Sequence, residues 1–270
     1  MFYANDSIGR VNRVVFIYKT TRLYPTSMSF VNKYTPPPSA PIHLPDPTEP
    51  YNLNFCFPLK TLETDRIKIV PLIPHVHANA IFEAITHYPI VMRFMSIHPF
   101  PSLADFETHC KSIRANSSTC LFVILDANRV AEPLGVINYC NASRSLSTLE
   151  IGFVIVSPPY QGTHVASQAI GLMMRCALDK ISDGGLGVRR LQWQAHASNH
   201  TSVRVAQKMG FKLECVLRWQ RPLAPGKESS APFRADDDLG VPGRHSVLLS
   251  VCWDDWASGT REHVLELMNR

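Results

Sequence analysis

Thr148-Leu149-Glu150-Ile151-Gly152-Phe153-Val154-Ile155-Val156, followed by Ser157-Pro158-Pro159-Tyr160-Gln161-Gly162-Thr163-His164-Val165-Ala166, is the stretch that decides the fold. The first nine residues are apolar and rich in β-branched side chains, which predicts a strand, and Pro158 to Gly162 punctuate it as a turn. From Gly162 to Ile181, Ala166, Ile170, Met173, Ala177 and Ile181 recur three or four positions apart, so an amphipathic helix packed on a sheet is expected. A strand over Arg190 to Ala195 follows. Then Asn199 opens and caps a helix to Met209, with Ser202 in its first turn and Gly210-Phe211 at its end. A turn that runs straight into a helix leaves the first N–H groups without internal partners. The amides of Thr163, His164, Val165 and Ala166, at the positive end of the helix dipole, can therefore cradle a pyrophosphate.

On the N-terminal side, Arg66 to Leu72 alternates as a strand, and His75 to Tyr88 and Ser102 to Ala115 have helical spacing. Ser102 caps the second helix, with Asp105 in its first turn. Thr119 to Asp126 and Pro133 to Asn141 predict a hairpin around Asn128. On the C-terminal side, strands are expected at Lys212 to Arg221 and His245 to Trp253. The connection between them, 222–243, carries Pro222, Pro225, Pro232 and Pro242 and reads either as disordered or as a substrate-side flap. Strand and helix alternate throughout, so the class is α/β (α+β), a mixed sheet with helices on both faces. Trp193, set between Gln192 and Gln194, is expected to face the core.

Composition narrows the function classes. A chain of 270 residues with 45% apolar content can bury a substantial core. The net charge of +5 is spread without a lysine or arginine run, which gives nucleic acid no electrostatic footprint. Seven cysteines, odd in number and scattered among apolar neighbours without a C-x-x-C pair, suit reduced thiols in a cytoplasmic protein and no metal site. No apolar run reaches the ~18 residues of a membrane span. Residues 1–34 carry Arg10, Arg13, Lys19, Arg22 and Lys33 against the single acid Asp6. That is the composition of a mitochondrial presequence, or of an unstructured extension, or of an upstream start with Met28 as the true first residue. Seven prolines between residues 35 and 50 form a polyproline-biased linker. The expected organisation is a disordered extension over 1–53 and one domain over 54–270.

Leu149 to Phe153, followed by Pro159 to Ala169, resembles the GCN5-related N-acetyltransferase (GNAT) superfamily, in its branch of ribosomal-protein N-terminal acetyltransferases (RimJ/RimL-like). The loop of that family reads Arg or Gln, x, x, Gly, x, Gly or Ala. Gln161, Thr163, Val165 and Ala166 fall into register, and His164 stands where the family has glycine. Asn199 to Phe211 resembles the second cofactor motif, Leu62 to Ile69 the branch's opening strand, and His245 to Trp253 its last.

The resemblance covers residues 60–256 and implies a mostly antiparallel central sheet splayed at the cofactor site. It implies acetyl-CoA as cosubstrate, no metal, and direct attack of a primary amine, either a protein N-terminus or a small molecule, in a ternary complex. The partners are then acetyl-CoA and the acceptor, with no nucleic acid or membrane, on a monomer or homodimer. Cofactor contacts fall on the backbone of Phe153, Val154, Ile155 and Val156, on Gln161, Gly162, Thr163, His164, Val165 and Ala166, and on Asn199 and Ser202. An α-amine titrates at ~7.7–8.0 and a lysine at ~10.4, so a base helps the first and is nearly essential for the second. Glu150 occupies the family's acid position, unless it only caps its strand or pairs with an arginine. Ala206 stands where many members carry a tyrosine, so no general acid is assigned. Trp219 could line the acceptor site, and Arg218 with Arg221 suggests an acceptor with acidic groups. With His164 and Ala206 departing from the pattern, the alternative is an acyl-CoA-binding protein that has lost catalysis.

Overall fold

The computed structural model describes residues 51–129, 133–231 and 236–270. The basic stretch 1–34 and the prolines of 35–50 lie outside the described residues. Apolar, β-branched runs form eight strands: β1 (Leu62–Glu63), β2 (Ile67–Pro71), β3 (Cys120–Asp126), β4 (Pro133–Ser143), β5 (Thr148–Val156), β6 (Arg190–His196), β7 (Lys212–Pro222) and β8 (Gly243–Cys252). They lie in one sheet in the order β1-β2-β3-β4-β5-β6-β8-β7. Every neighbouring pair is antiparallel except β5 with β6. The opening strand read from Leu62 to Ile69 is two strands, because Thr64 turns the chain: its Oγ1 accepts from the amides of Arg66 and Ile67, both at 3.2 Å.

Helices cover both faces, as the alternation of side chains requires. On one face α3 (His164–Leu178), α4 (His200–Lys208) and α6 (Arg261–Met268) close over Ile137, Tyr139, Leu149, Ile151, Leu191 and Trp193. Tyr139 is fully buried there and donates its hydroxyl to the Met173 carbonyl at 2.5 Å, so its polar end is satisfied inside the core. On the other face α1 (Pro74–His87) and α2 (Leu103–Ala115) pack Ile81, Ile85, Phe106 and Cys110 on Leu121, Val123, Val136 and Ile155. The Ser102 cap forms as expected, with its oxygen accepting from the Asp105 amide at 3.2 Å.

One expectation changes, and one element is new. The long helix starts at His164 and stops at Leu178, so Ile181 is 77% exposed instead of closing the apolar stripe. The returning chain ends it, since Leu186 and Val188 donate to the carbonyls of Cys176 and Ala177 at 2.8 and 3.0 Å. The C-terminal α6 has no strong sequence signal, and tertiary contacts hold it. Gln168 Nε2 donates to the Met268 carbonyl at 2.6 Å, and Asp179 accepts from Trp256 Nε1 at 3.0 Å and Arg261 Nε at 2.8 Å. A short turn, α5 (Trp253–Asp255), leads into it. No helix among the described residues is long and apolar enough to cross a membrane.

The described parts of 222–242 do not run free. Leu223 donates to Pro242 at 2.8 Å, Ala224 to the Ser96 carbonyl at 3.3 Å, and Lys227 Nζ to the Met92 carbonyl at 2.7 Å. Arg93 and Glu228 add an ion pair at 2.6 Å. These contacts strap the described parts of the loop onto the segment that joins α1 to α2.

Candidate active site

The parallel pairing of β5 with β6 lasts four residues, from Thr148↔Arg190 to Ile151↔Trp193. Beyond it β6 continues on β8, from Gln194↔Leu248 to His196↔Ser246, while β5 stays with β4 as far as Val156↔Gly135. The sheet therefore splays between β5 and β6, and among the described residues the edge of β5 from Gly152 onward has no partner strand on that side. A bulge sits at the opening, where the register passes from Asn138↔Gly152 to Val136↔Ile155, and Phe153 takes φ 48°. The extra residue inverts the alternation. Leu149 and Ile151 face α3, but beyond the bulge Phe153 and Ile155 face α1 and α2, and Val154 and Val156 take the α3 side. Gly135 is required opposite, because a Cβ there would lie 2.1 Å from the Ile155 carbonyl oxygen. The Gly152-Phe153 pair inside an apolar strand was the available signal of a bulge.

At the far end of β5 the chain turns into α3. Gln161 Nε2 donates back to the Val156 carbonyl at 2.9 Å, Gly162 takes φ 74°, and Thr163 Oγ1 donates to the Tyr160 carbonyl at 2.6 Å while capping Val165 at 3.4 Å. Apart from its two chain neighbours, no described residue has a heavy atom within 4 Å of where a Cβ on Gly162 would be. A fifteen-residue helix thus points its orphan amides into open space beside the free edge of β5. Thr163 is the cap, so the first helical residue is His164. Burial, then the nearby Arg66, lowers its imidazole below the usual range, which favours the neutral ring. A phosphate-bearing thioester fits this cradle by the chemistry of its donors.

Asn199 Oδ1 caps α4 by accepting from the Ser202 amide at 3.1 Å, and Ser202 Oγ accepts from Trp193 Nε1 at 3.0 Å. Trp193 is buried against Phe211, as expected. Ala206 is fully buried, so that position offers nothing to a leaving group.

Glu150 lies on the opposite face, at the apex of the splay, and is only 3% exposed. Its Oε2 accepts from Asn141 Nδ2 and Gln194 Nε2, each at 2.9 Å, and the Cys140 thiol bonds to the same carboxylate. Burial pushes its pKa up; the Asn141 bond, Arg221, Cys140 and Arg244 pull it back in part. Among the described residues it makes no ion pair: its hydrogen-bond partners are two amides and a thiol, and the arginines act from farther away. Two amide oxygens of the same region, Asn138 Oδ1 and Gln194 Oε1, are buried without a hydrogen-bond partner. Asn138, Cys140, Asn141 and Arg244 were missed from sequence. Polar residues inside predicted strands were the only signal. Trp219, 42% exposed with φ 52°, stands on the edge strand β7, its ring filling the space over Gly243.

An exposed turn that opens a helix at the mouth of a splayed sheet, with a buried carboxylate on the opposite face, is an arrangement that suits an acyl-CoA-dependent transferase. The family profile "Acetyltransferase (GNAT) domain" matches residues 66–212, more than half of the chain, and the chain belongs to that family. It is thus an acetyl-CoA-dependent N-acetyltransferase. No curated protein matches the sequence. Among solved structures the fold is similar to a GCN5-related N-acetyltransferase from Brucella melitensis, with TM-score 0.64 and 20% identity over 77% of this chain and 85% of that one. It is also similar to Mycobacterium smegmatis RimJ in complex with CoA-disulfide, with TM-score 0.58 and 14% identity over 77% and 92%. A third is the Salmonella typhimurium acetyl transferase that modifies the N-terminal serine of ribosomal protein L7/L12, with TM-score 0.56 and 13% identity over 72% and 99%.

Proposed function

We propose that this enzyme acetylates a primary amine, a protein N-terminus or a small molecule, by direct attack within a ternary complex, with Glu150 as general base. The observation that carries the reading is the placement of Glu150. It is a buried carboxylate whose pKa is raised by burial, at the point where the sheet splays, on the face opposite α3. Acetyl-CoA supplies the activated acyl group. The amides of Thr163, His164, Val165 and Ala166, with Gln161 and Gly162 shaping the turn, hold its phosphates, and Asn199 and Ser202 flank its pantetheine arm. The unpaired edge of β5 from Phe153 to Val156 supplies backbone donors for the carbonyl oxygen.

The acceptor nitrogen approaches from the Glu150 side and loses its proton to the carboxylate, directly or through one water. A raised carboxyl pKa makes that transfer easier at neutral pH. Ala206 offers no acid, and the thiolate leaves unassisted, which a thiol pKa near ~8.5 allows. Likeness to RimJ and to the L7/L12-modifying enzyme supports the ribosomal-protein N-terminal branch, and with it a peptide α-amine.

The test is a panel of N-terminal peptides, lysine peptides and small amines incubated with acetyl-CoA, with released thiol as the readout. Acetylation of α-amines is expected. Tight acetyl-CoA binding with no thiol release from any amine would overturn the proposal.

A further inference from the structure

Arg244, on β8, is 8% exposed and its Nε is buried with no hydrogen-bond partner; its Nη1 donates to Ser96 Oγ at 3.3 Å. Arg221 pairs with it across the β7–β8 ladder, and its Nε donates to the neighbouring Gln220 at 3.0 Å. The two guanidinium groups repel one another: burial, then Arg221, brings Arg244 down to about 10, and Glu150 works in the opposite direction. Among the described residues no carboxylate forms an ion pair with either arginine. Each guanidinium has five N–H donors, and the contacts above use few of them. Burying the Arg244 guanidinium without an ion-paired carboxylate is costly, so its unsatisfied Nε, with the half-buried Arg221 beside it, leaves a place for an anion. Four parts of the chain converge here: Ser96 from the α1–α2 connection, Glu150 and Gln194 from the splay, Arg221 from the edge strand and Arg244 from β8. The buried oxygens of Asn138 and Gln194, with Glu150, offer acceptors to an amine, and the arginines offer donors to an acid.

We infer that this cluster of side chains takes an amine whose own molecule carries a carboxylate, with Arg244 and Arg221 binding the carboxylate while the nitrogen lies at Glu150, Asn138 and Gln194. The inference rests on the acetyl-transfer reading above and narrows its acceptor. Two sources present this chemistry, a free amino acid and a peptide that begins with Asp or Glu.

Two isosteric pairs separate carboxylate from amide. Glycine against glycinamide probes the free amino acid, and Asp-Ala-Ala-amide against Asn-Ala-Ala-amide probes the peptide. Each is measured by thiol release with acetyl-CoA and by calorimetric binding to the CoA-loaded full chain. Wild type should favour the carboxylate member of at least one pair by about 10- to 100-fold, the scale of a charge-assisted hydrogen bond. Arg244→Gln and Arg221→Gln should each bring that ratio towards one. Comparing ratios between proteins cancels the difference in amine basicity within a pair. Arg221 is less buried than Arg244, so its variant keeps the test open if Arg244→Gln fails to fold, with acetyl-CoA binding and thermal unfolding as folding controls.

Equal binding and equal turnover of both members in wild type would overturn the inference, as would a preference that survives in folded Arg221→Gln. Selective binding that collapses in the variant without thiol release would uphold the carboxylate site and sink the acetyl-transfer reading. Thiol release at equal rates from both members of each pair would do the reverse.

Discussion

The two sides of β5 are built from different material. Towards α3, the turn after Val156 presents backbone: the amides from Thr163 to Ala166 and the free strand edge beyond Ile151. Towards α1, α2 and the strap, the same strand presents side chains, namely Glu150 held by Asn141 and Gln194, with Arg221 and Arg244 behind. A backbone site depends on where the chain runs, so a changed side chain such as His164 can be tolerated. A side-chain site depends on each identity. Substitutions on the two sides should therefore differ in what they break.

The largest effect is expected at Glu150. Glu150→Gln keeps the shape and removes the proposed base, so the transfer rate should fall by about 10²–10⁴-fold. The loss should be steepest below the acceptor amine's pKa, where a proton remains to be taken, with acetyl-CoA affinity nearly unchanged. A pH–rate profile that matches wild type would remove Glu150 from the mechanism and leave the side-chain site without its chemistry.

On the other side, replacing Gly162 and Thr163 together by aspartate should weaken acetyl-CoA binding by about 10- to 100-fold through like-charge repulsion. An aspartate at the cap of α3 satisfies the helix, so folding should hold while binding fails, and calorimetry alongside thermal unfolding separates the two. Unchanged affinity would place the phosphates elsewhere.

Stability against pH gives a smaller signal. Because the folded pKa of Glu150 is raised, the native state holds a proton that the unfolded chain releases. Its contribution to stability is then present below the ordinary carboxyl range and is lost as pH rises through the raised value. Glu150→Gln lacks this loss, so the variant's melting temperature should gain on wild type as pH rises from about 4.5, the unperturbed carboxyl value, and the gap should level off above the folded pKa. A gap that stays constant across that window would mean the carboxyl is not perturbed.

The smallest effect is expected at His164. His164→Gly removes a Cβ beside the cradle and restores the family residue, so acetyl-CoA affinity should stay within about threefold of wild type or improve. With its pKa lowered, the ring carries less positive charge than a free imidazole at the same pH, so the comparison should differ little between pH 6 and pH 8. Weaker binding by the glycine variant, more marked at pH 6, would make the imidazole a phosphate ligand and blur the contrast between the two sides.

Much of this was legible in sequence because it is local. The hairpin of β3 and β4, the Ser102 and Asn199 caps, the core-facing Trp193 and the turn at Gly162 all follow from periodicity and short-range hydrogen bonding. The bulge at Phe153 was signalled only by the glycine before it, and its position was not legible. An aromatic residue at φ 48° breaks the local rule, and only the pairing of β5 with β4 holds it there. The end of α3 at Leu178 was missed for a similar reason, because the apolar spacing continues to Ile181 while the returning strand claims the last carbonyls.

By itself the sequence determined the order of strands and helices from β2 to β8, the apolar faces and the turn that opens α3, since periods of two and 3.6 and the caps act over a few residues. Only the tertiary structure decided that β6 leaves β5 after Ile151, that α6 closes over α3, and that Arg221 and Arg244 come to stand behind Glu150. These last depend on groups far apart in the chain, brought together by strand register, and burial there sets their charges as no local pattern can.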